Sequence, residues 1–207
     1  RLVHDRSLGI YDKNRFMTYI KLPRNVHYIR KEYIDRKEFR NQRFNLNADY
    51  ALMDVIQLDR IGSDEELVRS YLHHFFVEET SMAPYESYIK DTYLKSVFAE
   101  TKIVNGIGDT ETWYSMLSPP DYKKLKERID IDFAPTNKTI FKPGEEVVLD
   151  LAIKNVKTLI VKVFEINTVN YYKDKKKEIR TDIDLDGLVA NFEKTFTYDA
   201  PPLRRIH

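Results

Sequence analysis

Near residue 130 the apolar residues of this 207-residue chain change their spacing, and that change constrains the fold more than any other feature. Before it they recur at intervals of three and four, the period of one helix face. After it they alternate with polar residues, the period of a strand with one buried side. An α+β fold follows, with a mixed, mainly helical region over residues 1–130 and a β-rich region over residues 131–207. The change falls between Ile129 and Thr136, where the Ala134-Pro135 step also disfavours helix continuation, so a domain boundary is expected there.

Several helix signals are specific. Ser63 and Glu66 have the spacing of a capping box, in which two side chains satisfy two free backbone donors of the first turn. Leu67, Tyr71 and Phe75, flanked by Val68 and Leu72, then form an apolar stripe. A second helix is expected from about Pro84, since proline is tolerated in a first turn, with Tyr85, Ile89, Tyr93 and Val97 on its inner face. Asn105-Gly106 ends it. Further helices are expected over Thr112 to Leu117 and after Ser118-Pro119-Asp121, the latter with Leu125 and Ile129 inward and Lys123, Lys124 and Lys126 outward.

The first 46 residues show no clean period and read as short strands or irregular packed segments. Within them Phe16, Tyr19 and Ile20 lie between cations, a combination able to stack on bases and contact phosphates. No recognition helix or stacking motif accompanies it, so a packed edge is the preferred reading and nucleic acid is disfavoured as a partner.

In the β-rich region Val147, Leu149, Leu151 and Ile153 are expected on one strand face, opposite Asp150 and Lys154. A turn over Asn155 to Thr158 and a partner strand over Leu159 to Ile166 suggest a hairpin. The run from Thr136 through Phe141-Lys142-Pro143-Gly144-Glu145 to Leu151, with Asn155 and the strand after it, resembles the opening strands of macroglobulin-type domains. The resemblance is confined to the last third of the chain. It implies a β-sandwich or partial sandwich that serves as a non-catalytic scaffold module of a larger protein. The thioester-forming Cys-Gly-Glu-Gln stretch is absent, which leaves covalent target capture no chemical basis here.

The sharpest chemical motif is acidic. Asp182, Asp184, Asp186 and Glu193 fall at the first, third, fifth and twelfth positions of a calcium loop, with Gly187 at the sixth. These four are the candidate metal ligands, and calcium is the candidate cofactor. Against them, a calcium hand needs flanking helices, whereas Lys173 to Lys177 is a charge cluster and Phe192 to Tyr198 reads as extended. Ile183 and Leu185 alternate with the acids as in an edge strand, so a structural turn is expected. His73 and His74 diverge by about 100° on a helix and cannot share one metal; His74 with Glu78 is the sensible local pair, and it lacks a further ligand. Glu78 and Glu79 do not converge on one bond, and no Gly-x-Ser-x-Gly elbow occurs. Asn137-Lys138-Thr139 satisfies a glycosylation sequon but reads as a chance triplet.

Composition sets the remaining bounds. A hydrophobic fraction of 42% and a charged fraction of 32% are those of an ordinary globular protein. The formal net charge of +1 exerts little long-range pull on a polyanion, although the region before Asn47 is rich in Lys and Arg. Without Cys there are no disulfides, thiolate metal sites or thiol nucleophile. No apolar run approaches bilayer length, so membrane insertion is not expected; the compartment is unassigned, with the cytoplasm preferred. A start at Arg1 and a stop just after Arg204-Arg205 read as the ends of a fragment. The 14 tyrosines suit protein contact as well as a core. The leading expectation is a non-enzymatic structural or interaction segment, its partners other protein subunits or adjacent domains of a longer chain. The alternative is a metal-regulated hydrolytic or enzyme accessory module using the acidic loop of residues 182–193.

Overall fold

In a computed structural model, which describes residues 1–48, 60–177, 179 and 183–207, the chain forms two compact units. Arg1–Asn155 and Pro201–His207 make the first, and Val156–Ala200 the second. Helices dominate the N-terminal and middle regions and strands the C-terminal region, as an α+β chain requires.

The first unit opens with helices where irregular segments are expected: α1 (Leu2–Ser7), α2 (Lys13–Ile20), α3 (Lys31–Ile34) and a 3-10 turn, Lys37–Phe39. The reason is visible in α2. Asp12 caps it by accepting a hydrogen bond from the Arg15 N–H at 2.9 Å. Phe16 and Ile20, four residues apart, are fully buried. The cations flanking them hide this period in the sequence, and burial leaves Phe16 and Ile20 unavailable for stacking on bases.

Helix α4 (Glu65–Glu78) begins without the expected capping box. Asp64 turns inward, the Ser63 hydroxyl accepts from the Glu65 N–H at 3.3 Å, and Glu66 reaches Arg6. The buried face is rotated slightly from the expected stripe: Val68, Tyr71, Leu72 and Phe76 are buried, whereas Leu67 and Phe75 are only partly buried. Helix α5 spans Asp91–Asn105 and starts later than Pro84. Residues 88 to 90 are diverted into a bridge between Ile29 and Ile89, in which Arg30 N–H donates to Tyr88 C=O and Lys90 N–H to Tyr28 C=O, both at 2.9 Å. Every residue from Val97 to Val104 is buried, so the second half of α5 is the centre of the unit. Gly106 ends it with a left-handed φ of 61°, and the Arg204 guanidinium packs where a β-carbon would stand. The left-handed φ favours glycine here, and a larger residue would also have to displace the end of the Arg204 side chain. Helices α6 (Thr110–Ser115) and α7 (Pro119–Glu127) follow, the second capped by Ser118 and anchored by buried Leu125. Ile129, expected inward, is exposed.

The first unit also contains a three-stranded antiparallel sheet of order β1-β2-β5: β1 (Asp130–Phe133), β2 (Leu151–Lys154) and β5 (Arg205–Ile206). Asp130 pairs with Lys154 and Phe133 with Leu151; Ile153 meets Ile206 on the other edge. Strand β2 is shorter than the sequence suggests. Ala152, Ile153 and Lys154 are buried, whereas Val147 and Leu149 are exposed and lie outside any strand. Accordingly Ile153→Ala is expected to destabilise the unit by about 2–5 kcal/mol and Leu149→Ala by under about 0.5 kcal/mol in urea unfolding. Equal losses would put Leu149 in the core.

The expected hairpin does not form. Asn155 does turn the chain, with φ 57°, but β2 already has β1 and β5 on its two edges. Asn155 instead ties its side-chain amide to the carbonyls of Lys126 and Glu127, and the chain leaves the unit. In the second unit β3 (Thr158–Val163) pairs antiparallel with β4 (Phe192–Thr197) in a six-residue register, and α8 (Thr168–Lys175) lies between them in sequence.

Candidate functional site

Two buried polar clusters stand out in the helical unit. The first is centred on Asp64. Arg24 donates to it at 2.5 Å, Tyr28 hydroxyl at 2.6 Å and Tyr19 hydroxyl at 2.8 Å. Arg24 and Asp64 are both almost completely buried. The Arg24 guanidinium also lies 4.1 Å over the Tyr19 ring. Burial, with the neighbouring Asp64 charge adding to it, pushes Tyr19 up to about 12 and Tyr28 higher still. Both hydroxyls therefore remain donors and cannot serve as bases.

The second cluster is centred on Glu100, in the buried half of α5. Burial alone would raise its carboxyl, but Arg69, His73 and Arg128 together hold it below the usual carboxylate range. Arg128 donates to Glu100 at 2.8 Å and grips Asp130 of β1 through two nitrogens at 2.6 and 2.9 Å. The network thereby fastens the helices to the sheet. Lys154 reinforces it by donating to the Leu125 and Arg128 carbonyls at the end of α7. Lys102 does the same for the Val77 carbonyl in the last turn of α4, at 3.1 Å. Each buried ammonium satisfies carbonyls that a helix end leaves free, and burial lowers the pKa of both lysines.

An open cleft of about 1160 Å³ runs past this network, lined by residues of the first unit that include His73, His74, Arg69, Glu100 and Arg205. His73 Nδ1 lies 2.6 Å from the Thr101 hydroxyl, and its Nε2 is 3.9 Å from Glu100. His74 stacks on Tyr11 with ring centres 3.9 Å apart. Burial lowers His73 to about 4, outweighing the attraction of Glu100. Between about 4 and the ordinary 6.5 the unfolded chain holds a proton on this residue that the folded chain does not. Stability contributed by neutral His73 is thus present above 6.5 and is lost as pH falls towards 4. An imidazole titration by NMR is expected to give a midpoint near 4; a midpoint near 6.5 would contradict the burial.

The sequence-selected acids are in the second unit. Asp184 accepts from the Asp186 N–H at 2.9 Å, and Gly187, at φ 82°, completes a turn. Glu193 is on β4, 3.3 Å from Lys162 of β3. Asp182 lies outside the described residues. Residues 183–191 carry no strand and Leu185 is exposed, so the expected edge strand is absent there. Among the described residues no three His, Asp or Glu side chains converge as metal ligands. No helix among them is long and apolar enough to cross a membrane. The sequon's Asn137 bridges the backbone of Asp150, donating through its amide at 2.7 Å and accepting at 2.8 Å, so it closes the loop from β1 to β2. Neither the Asp64 nor the Glu100 cluster was selected from sequence, because their partners lie about 30 to 45 residues away. Glu100 does leave a signal, a lone acid inside the stripe of Val97, Phe98 and Ile103.

Comparison with known proteins gives two family matches. Residues 1–129 match the family model described as actin-binding protein F N-terminal domain, and residues 159–207 match AbpF first immunoglobulin-like domain. Where the sequence resemblance pointed to a macroglobulin-type domain, the match is to an immunoglobulin-like one, and the β-rich character is common to both. Actin-binding protein F of Dictyostelium discoideum is 36% identical over 198 residues, 95% of this chain and 8% of that protein. The chain therefore spans under a tenth of the length of this relative. No solved structure matches this chain.

Proposed function

The chain belongs to the family of the actin-binding protein F N-terminal domain, and from that premise we propose that it is a non-catalytic segment that binds actin and joins that contact to an immunoglobulin-like module. The observation that carries this reading is the 36% identity to actin-binding protein F, which extends over 95% of the chain and so includes both matched regions. The chemistry of the helical unit supports it. Asp64, Glu100 and Asp130 are each committed to one or more arginines, which suits holding a shape rather than moving protons. The proposed location is accordingly where actin filaments are, in the cytoplasm. Co-sedimentation of the 207-residue chain with filamentous actin tests the proposal. Saturable pelleting that depends on the filament is expected; a chain that stays in the supernatant at every filament concentration would contradict it.

A further inference from the structure

Residues 21–43 carry eight Lys or Arg against three Asp or Glu, a net of +5 in a chain whose formal total is +1. Arg24 is buried and paired with Asp64, so it adds nothing to the surface; the other seven cations are exposed or partly exposed and are organised around two aromatic rings. Tyr33 and Tyr88 meet edge to face at 5.1 Å, and the Tyr33 hydroxyl donates to the Lys21 carbonyl at 2.6 Å. The Lys21 ammonium lies 6.0 Å over Tyr88 and the Arg36 guanidinium 4.8 Å over Tyr33. Cationic stems resting on rings keep their charges presented with little side-chain entropy left to lose on binding. An ion pair of 2.8 Å between Arg43 and Asp35 folds the end of this segment back onto α3.

Among the described residues, charge neutralisation is incomplete. Asp35 takes Arg43, and Glu38 lies 3.8 Å from Arg36. Among the described residues no ion pair engages Lys21, Arg30, Lys31, Lys37 or Arg40. Beside Pro23, Phe44 adds an apolar element that is 52% exposed. Its backbone is fixed, donating to the Pro23 carbonyl at 2.8 Å and accepting from the Asn25 N–H at 3.4 Å. A fixed aromatic next to unneutralised cations is the composition of a protein contact with an acidic counterpart.

We propose that this cationic surface, residues 21–43 with Phe44, is the face through which the chain docks on an acidic protein surface. The inference rests on the actin-binding reading and names the contact for it. It is tested by pelleting the 207-residue chain with filamentous actin alongside two charge-reversed variants. One is Lys31→Glu/Lys37→Glu/Arg40→Glu; the other, a control of equal charge change on the exposed side of α7, is Lys123→Glu/Lys124→Glu/Lys126→Glu. All six side chains are exposed, and circular dichroism verifies that both variants fold. The first variant is expected to bind at least about tenfold more weakly and the control within about twofold of the unaltered chain. Binding of the unaltered chain is expected to weaken as salt rises above about 0.1 M, where charges are screened beyond about 10 Å. Equal pelleting of the first variant and the unaltered chain overturns the inference while leaving the actin reading intact, as does an equal loss in the control. No pelleting of the unaltered chain overturns both. Tighter binding to a mixed-sequence DNA duplex than to actin, abolished in the first variant, overturns the inference in favour of a polyphosphate partner.

Discussion

Asp64→Asn is expected to destabilise the helical unit by about 3–5 kcal/mol, because it removes the charge that compensates a buried arginine while preserving side-chain volume. Arg24 and Asp64 each expose only 1% of their side chains, so water cannot substitute for the lost partner. Tyr19 and Tyr28 would then donate to a neutral amide whose nitrogen also needs acceptors. The double replacement Arg24→Met/Asp64→Leu is expected to be milder than Asp64→Asn, since it removes both charges and their desolvation together. Urea unfolding of the three proteins measures the differences. A loss below about 1 kcal/mol for Asp64→Asn would contradict the geometry of this cluster.

Phe76→Ala is expected to cost about 3–5 kcal/mol through lost transfer energy and a cavity that the surrounding helices cannot close. Phe76 is fully buried on α4, with its ring centre 4.9 Å from that of Phe98 on α5 and 5.5 Å from that of Tyr85. It therefore connects α4 with both the irregular approach to α5 and α5 itself. Phe76→Leu keeps most of the apolar volume and is expected to lose less. Thermal unfolding of both variants distinguishes them; an equal, small loss would place the ring at the surface.

The helical half was legible wherever local chemistry sets the structure. Ser118-Pro119 starts α7, Gly106 ends α5, and the four-residue spacing of α4 locates its buried face. Sequence reading failed where tertiary partners override local signals. The Ile29 to Ile89 bridge postpones α5 past Pro84, and the capping box expected of Ser63 and Glu66 does not form where Asp64 turns inward to Arg24 and two tyrosines. In the β-rich part alternation identified strands but not their neighbours. The turn at Asn155 precedes β3, yet β3 pairs with β4 and β2 with β1 and β5, because a two-residue period specifies a face and says nothing about which edge is already taken. The acidic spacing of 182 to 193 was legible as a pattern, whereas the pairing of Glu193 with Lys162 depends on the register of β3 and β4. The Asp64 and Glu100 clusters were out of reach for the same reason, since their charges meet only after the helices pack.

Hydrogen exchange of the 207-residue chain, free and saturated with filamentous actin, tests most directly the claim that the helical unit makes the contact. Added protection on the filament is expected over residues 21–44 and their neighbours around Tyr88, with exchange in Val156–Ala200 unchanged. Protection confined to Val156–Ala200, or no change anywhere despite co-sedimentation of the chain, would contradict it.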